Sequence, residues 1–89
     1  MKGLYKSTFV KDLKRLRGAP EFARIWRLVF EEMPRWEKLA ENNQIKRLNA
    51  KDNAYRIRVG DYRIGFYCTD DALVFARVLH RREIYRYFP

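Results

Sequence analysis

Cysteine and histidine occur once each in the 89 residues. A lone Cys68 cannot form an internal disulfide, and one Cys with one His cannot make a zinc set. Placed in a strand-like pattern, Cys68 reads as a buried, inert thiol. Long apolar runs are missing too. No segment approaches the roughly 18 apolar residues of a membrane span, and the opening stretch MKGLYKSTFVKDLKRL lacks the apolar core of a signal peptide. A cytoplasmic protein with no membrane partner is expected. Acidic residues are also short, 11 against 20 basic ones, for a net charge of +9. Such a charge draws phosphate polymers, acidic proteins or anionic membranes, unless it serves solubility alone. Thirteen of the basic residues are Arg, clustered in the second half. Arg makes bidentate contacts to phosphate that Lys cannot. Apolar residues are not scarce: 47% of the chain is hydrophobic, with two Trp, six Tyr and six Phe. That is enough for one core, and the length suits one domain over residues 1–89.

Residues 2 to 6 read as a short strand, and Ser7 is a fair helix N-cap. Phe9, Val10, Leu13 and Leu16 mark one face of a helix ending near Gly18. Pro20 suits the first turn of a second helix. Its stripe of Phe22, Ile25, Trp26, Val29, Phe30 and Met33 reads as core, and Pro34 ends or kinks it. The segment RWEKLAENN would add a short helical extension, with a loop from Asn42-Asn43. QIKRLNAKDN follows as a basic connector. It is either a solvated loop or a source of phosphate contacts from Lys46, Arg47 and Lys51. Strands are expected at 54–59, 62–68 and 72–79, with a turn at Asp70-Asp71. In the closing HRREIYRYFP, a short helical turn puts Ile84 and Phe88 inward, and Arg81 and Tyr85 on another face. The expected architecture is α+β: an antiparallel sheet of about four strands in the order β-α-α-β-β-β, with two N-terminal helices on one face.

The stretch AYRIRVGDYRIGFY carries the sharpest signal. Gly60-Asp61 reads as a two-residue hairpin turn. It pairs Val59 with Tyr62, Arg58 with Arg63 and Ile57 with Ile64. Alternation then gives one face Tyr55, Ile57, Val59, Ile64 and Phe66, and the other Arg56, Arg58 and Arg63. Like charges directly opposite are destabilising. The pair is expected to be bridged by a phosphate, or else to splay into water or pair with Asp61 or Glu83. Tyr67 and Tyr85 could stack on unpaired bases. Arg77 faces the helices if the next turn has two residues. It joins the arginine face with Arg81 if there is a bulge, the favoured reading because a buried unpaired Arg is costly.

YRIRVGDYRIGFY followed by VFARVLHRREIYRYF resembles the RelE/ParE toxin superfamily of type II toxin–antitoxin modules, most sharply over residues 55 to 88. The resemblance implies a RelE-like fold and a toxin. Its first implied activity is metal-independent cleavage of mRNA on the ribosome by 2′-hydroxyl attack. The alternatives are a ParE-like, non-enzymatic inhibitor of DNA gyrase and a diverged, non-toxic module. The implied partners are the ribosome, mRNA and an acidic antitoxin, with no small-molecule cofactor. The RelE pattern falls on Arg56, Arg58, Arg63, Arg81 and Tyr85. Familiar RelE members have Lys at the first two positions. Arg there can stabilise charge but not act easily as general acid or base. His80 is the one side chain with an ordinary pKa near neutrality, though packing or hydrogen bonding is the commoner state for a His at a strand end. Arg77, Arg82 and Arg86, with Tyr67 and the connector's basic residues, complete the expected RNA-binding set.

Overall fold

The computed structural model describes residues 1–39, 44–49 and 52–89. The chain runs β1 (Lys2–Tyr5), α1 (Ser7–Arg15), α2 (Phe22–Arg27), β2 (Ile45–Asn49), β3 (Ala54–Val59), β4 (Tyr62–Cys68), β5 (Ala72–His80) and α3 (Ile84–Tyr87). The sheet has five strands in the order β1-β5-β4-β3-β2. β1 lies parallel to β5 and every other pair is antiparallel. The sheet is therefore mixed and one strand larger than expected. The extra strand is the basic connector. It pairs Ile45 with Ile57, Lys46 with Arg56 and Arg47 with Tyr55 before a register shift at Asn49. An edge strand is hydrogen-bonded on one side only, so weak apolar alternation suffices for it.

Two expectations about the helices are corrected. Lys6, extended, holds the cap position of α1 and Ser7 is its first helical residue. Residues 36–39 do not extend the second helix, and the rest of the expected extension, with the loop from Asn42-Asn43, lies outside the described residues. That helix passes from α2 into a π turn at Leu28–Glu32 and a 3₁₀ turn at Met33–Arg35. Pro34 has no N–H to donate, and the chain is extended at Trp36. Its buried stripe is also narrower than the pattern implied. Ile25, Val29 and Met33, at four-residue spacing, are fully buried, while Trp26 is 44% exposed at the flank with its ring against Phe30.

These helices and α1 cover one sheet face. Phe9, Leu13, Ile25, Val29 and Met33 meet Ile57, Ile64, Phe66, Phe75 and Val78 there. Where β1 stops, α1 takes over the β5 edge with two side chains one turn apart. Thr8 Oγ1 donates to the Ala76 carbonyl at 2.8 Å, and Asp12 accepts the Val78 N–H at 3.1 Å. The opposite sheet face is not bare. Ile84 and Phe88 of the C-terminal segment pack on Ala54 and Ala76. Gly65 makes this docking possible: a Cβ there would come within 2.5 Å of the Phe88 ring.

Candidate nucleic-acid interface

Gly60 takes φ 58°, which a side chain would resist, and so sets the β3–β4 turn. The register that follows is the expected one: Val59 with Tyr62, Arg58 with Arg63, Ile57 with Ile64. Ile57, Val59 and Ile64 are buried beneath the helices, which leaves Arg56, Arg58 and Arg63 on the far face. Across β5 the register slips between Gly65 and Phe66, so that Gly65 faces Arg77 and Phe66 faces Phe75, with Ala76 extra. This bulge places Arg81 with the arginines. Burial first, and then the charges of Arg56, Arg58 and Arg81, lower the Arg63 pKa, with Tyr85 opposing. Three guanidiniums and one phenol thus gather around Arg63.

Arg58 and Arg63 avoid each other by taking separate neutral acceptors. Arg58 Nε donates to Gln44 Oε1 at 3.0 Å. One Arg63 nitrogen donates to the carbonyls of Gly60 at 2.8 Å and Tyr62 at 2.9 Å. Neither pairs with Asp61 or Glu83. Asp61 takes Arg81 instead, at 3.9 Å between two exposed side chains, and its carbonyl accepts the Arg81 N–H at 2.8 Å. Arg56 spans the site. Its Nε donates to the Tyr85 hydroxyl at 3.2 Å and its other nitrogen to the Gln44 carbonyl at 3.0 Å. Tyr85 is 56% exposed, so its ring face is open to a base. Bonded acceptors hold these guanidiniums in place, which suits them to charge that develops at one point.

Several expected members stand elsewhere. His80 is the cross-strand partner of Tyr62, which packs on the main core. The His80 ring stands edge-on to Tyr62 at 5.8 Å, and its Nδ1 accepts the Arg82 N–H at 3.2 Å. The parity that brings Arg81 to the arginine face sends His80 to the other one. Arg77 shares the arginines' register, but its guanidinium is held by Asp12 at 2.7 and 3.1 Å, and it lies 5.1 Å from the Tyr87 ring centre. The hydrogen bond to Asp12 raises its pKa. Tyr67 meets Phe88 edge-on at 5.2 Å and lies beneath the Lys6 ammonium. It is a packing residue rather than a base platform. Arg47 turns to Tyr55 and to Asn53 Oδ1 on the other face. Lys46, opposite Arg56, is exposed beside the cluster. Arg82 and Arg86 are exposed around α3. Lys51 lies outside the described residues.

Two residues that position the site carried no such reading in the sequence. Gln44 belongs to the connector taken as a possible loop, and a single amide has no spacing to betray it. Asp12 had a signal: it lies between Phe9 and Leu13 on an apolar helix face, where a carboxylate requires a partner. It is 3% exposed. Cys68 is half-buried with its thiol pKa raised, chiefly by burial.

No helix among the described residues is long and apolar enough to cross a membrane, and no cluster of metal-binding side chains occurs among them. The chain matches, over residues 4–85, the family model described as the ParE toxin of the type II toxin–antitoxin system parDE. It is 44% identical, over 90 residues and the whole of both chains, to Toxin RelE3 of Methanocaldococcus jannaschii. Its fold is similar to that in the RelB–RelE antitoxin–toxin complex from Methanococcus jannaschii, with a TM-score of 0.75, 43% identity and 97% and 99% of the two chains covered. The RelBE2 toxin–antitoxin complex from Mycobacterium tuberculosis matches with a TM-score of 0.68 at 25% identity, covering 90% and 96%. With this fold, this hairpin and these relatives, the chain belongs to the RelE/ParE superfamily, the toxins of type II toxin–antitoxin modules.

Proposed function

We propose that this toxin is an endoribonuclease that cuts mRNA on the ribosome without a metal ion, and that an acidic antitoxin silences it by covering the arginine face. The observation that carries the reading is the gathering of Arg56, Arg58, Arg81 and Tyr85 around Arg63, with Arg56 bonded to the Tyr85 hydroxyl. In such a cut the ribose 2′-oxygen bonds to the adjacent phosphorus, and the bond from phosphorus to the 5′-oxygen breaks. A 2′,3′-cyclic phosphate and a 5′-hydroxyl result. Negative charge grows on the phosphoryl oxygens, where Arg58, Arg63 and Arg81 act as fixed donors. Arginine holds its protons too tightly to exchange them, and His80 faces away. Tyr85 is therefore our candidate for relaying the proton of the 2′-hydroxyl to the departing 5′-oxygen, with Arg56 orienting its hydroxyl. The same ring is placed to stack on a neighbouring base. Lys46 and Arg82 would extend the path of the RNA backbone.

A gyrase-binding toxin is the second reading, favoured by the ParE description of the matching family model. The two separate when mRNA 5′ ends are mapped after induction. Cuts aligned with the ribosomal A site support the nuclease. DNA damage without such cuts selects gyrase. For the partner, toxicity of the chain expressed alone, relieved by coexpression of an adjacent acidic gene product, is the expected result. Harmless accumulation of folded protein would count against both toxin readings.

A further inference from the structure

Beside the arginine face, the end of β3 that runs past β2 borders a cleft of about 180 Å3. One wall is Arg24, Leu28 and Glu32, a single helix face at four-residue spacing. Ile57 and Val59 of β3 stand opposite, and Trp36 contributes an aromatic ring. Two more lining residues, Gln44 and Arg58, are also part of the arginine site, where they bond to each other at 3.0 Å. The cleft and the site are therefore continuous.

Its chemistry is unusual for a groove that merely packs. Arg24 and Glu32 have opposite charges on one helix face, yet neither side chain forms an ion pair or hydrogen bond among the described residues. Between them the lining is mixed: Leu28 and Trp36 are half-buried, and Ile57 and Val59 are almost wholly buried. An apolar cavity of about 150 Å3 takes a benzene ring, and most small-molecule pockets begin at about 300 Å3. The cleft thus suits one flat heterocycle rather than a whole cofactor or a peptide. Trp36, half-buried against the core, is the one aromatic side chain among the described residues that line the cleft, and aromatic rings are what bases stack on. Glu32 is acceptor-only and bidentate, and Arg24 is donor-only. Guanine alone among the bases presents two adjacent donors, N1–H and N2–H, beside the O6 acceptor. Uracil presents one N–H between two carbonyls, which repel a carboxylate. Adenine and cytosine each offer one amino group.

We propose that this cleft is a guanine subsite: Glu32 accepts from N1–H and N2–H, Arg24 donates to O6, Trp36 stacks, and Arg58 holds the phosphate attached to the same nucleotide. This rests on the ribonuclease reading, and it assigns base selection to the helix rather than to the arginine face.

The test uses the full chain with Trp26→Phe, which leaves Trp36 as its sole tryptophan fluorophore. The probes are RNA trinucleotides with guanine, inosine or adenine at one position and 2′-deoxyribose where a cut would fall. Guanine should quench Trp36 and bind roughly tenfold tighter than inosine, which lacks the N2 amino group, or adenine. Glu32→Gln should erase that preference by weakening guanine while leaving adenine unchanged. Ribosomes programmed with codons that differ in the same base are assayed for cleavage in parallel. Equal binding of guanine and adenine, or an unchanged preference in Glu32→Gln, overturns the subsite even if ribosomal cleavage persists. Guanine-selective binding that depends on Glu32, without any cleavage on ribosomes, upholds the subsite and sinks the nuclease reading.

Discussion

Arg58 and Arg63 sit directly opposite each other, and each guanidinium has turned to an uncharged oxygen rather than to a carboxylate. That arrangement costs stability through like-charge repulsion and keeps both charges available. Arg63→Ala leaves no core cavity and relieves a cross-strand term of about 0.2–1 kcal/mol. Its melting temperature should equal or slightly exceed that of the parent. If the nuclease reading holds, its single-turnover cleavage on ribosomes should fall by about 10²–10³, the usual cost of a lost oxyanion donor. Ile64→Ala, on the buried face, should do the reverse, losing about 2–5 kcal/mol of stability. An unfolded Arg63→Ala would make the arginine a structural partner, and a folded variant that cleaves normally would take the site off this face. At this scale the hairpin was legible, because Gly60 alone suits the left-handed turn and alternation then assigns every neighbour. His80 was named on its chemistry alone, and the structure sets it beside Tyr62 on the other face. Residue chemistry says what a side chain can do, whereas its face depends on a parity that the Ala76 bulge resets.

Three elements meet at one ion pair. Asp12 on α1 holds Arg77 on β5, and Arg77 lies over Tyr87 on α3. Removing the arginine leaves a carboxylate that is 3% exposed without its charge partner, so Arg77→Met should cost on the order of 3 kcal/mol. Asp12→Asn should cost less, since Arg77 retains 22% exposure to water and the amide oxygen can still accept from Val78. Urea unfolding of both variants orders them, and the opposite order would show that the Val78 bond dominates. Docking of α3 depends on Gly65. In Gly65→Ala the new methyl collides with Phe88, the C-terminal turn lifts, and Tyr85 leaves Arg56. Amide exchange should lose protection over residues 84–88 and cleavage should fall, while the sheet amides stay protected. Protection unchanged at 84–88 would mean that the ring slides aside. Both helix stripes and four of the five strands were readable, β1 included although it too lies at an edge. β2 was not, since Lys46, Arg47 and a register shift leave it little apolar alternation.

Across the molecule, a charge of +9 accompanies one face where guanidiniums gather and another where helices cover the core. Four arginines at phosphates predict a log–log salt slope of about −3 for single-stranded RNA, or roughly fiftyfold weaker binding between 50 and 200 mM salt. Filter binding across that range measures it, and a nearly flat response would remove the arginine face from RNA recognition. The α+β class was legible from the order of periodic segments. The mixed sheet was not, because nothing in GLY or KGLY says which distant strand will receive it. That pairing has a temporal consequence. β1 is the first strand synthesised, and its neighbour is the last, with Lys2 beside Ala72. Loop closure over that span cannot occur until β5 has been translated, and Tyr85 follows later still. A nascent chain that stops short of β5 therefore carries an open sheet and an unplaced phenol. Synthesis alone withholds the assembled arginine face until the last strand of the domain is in place.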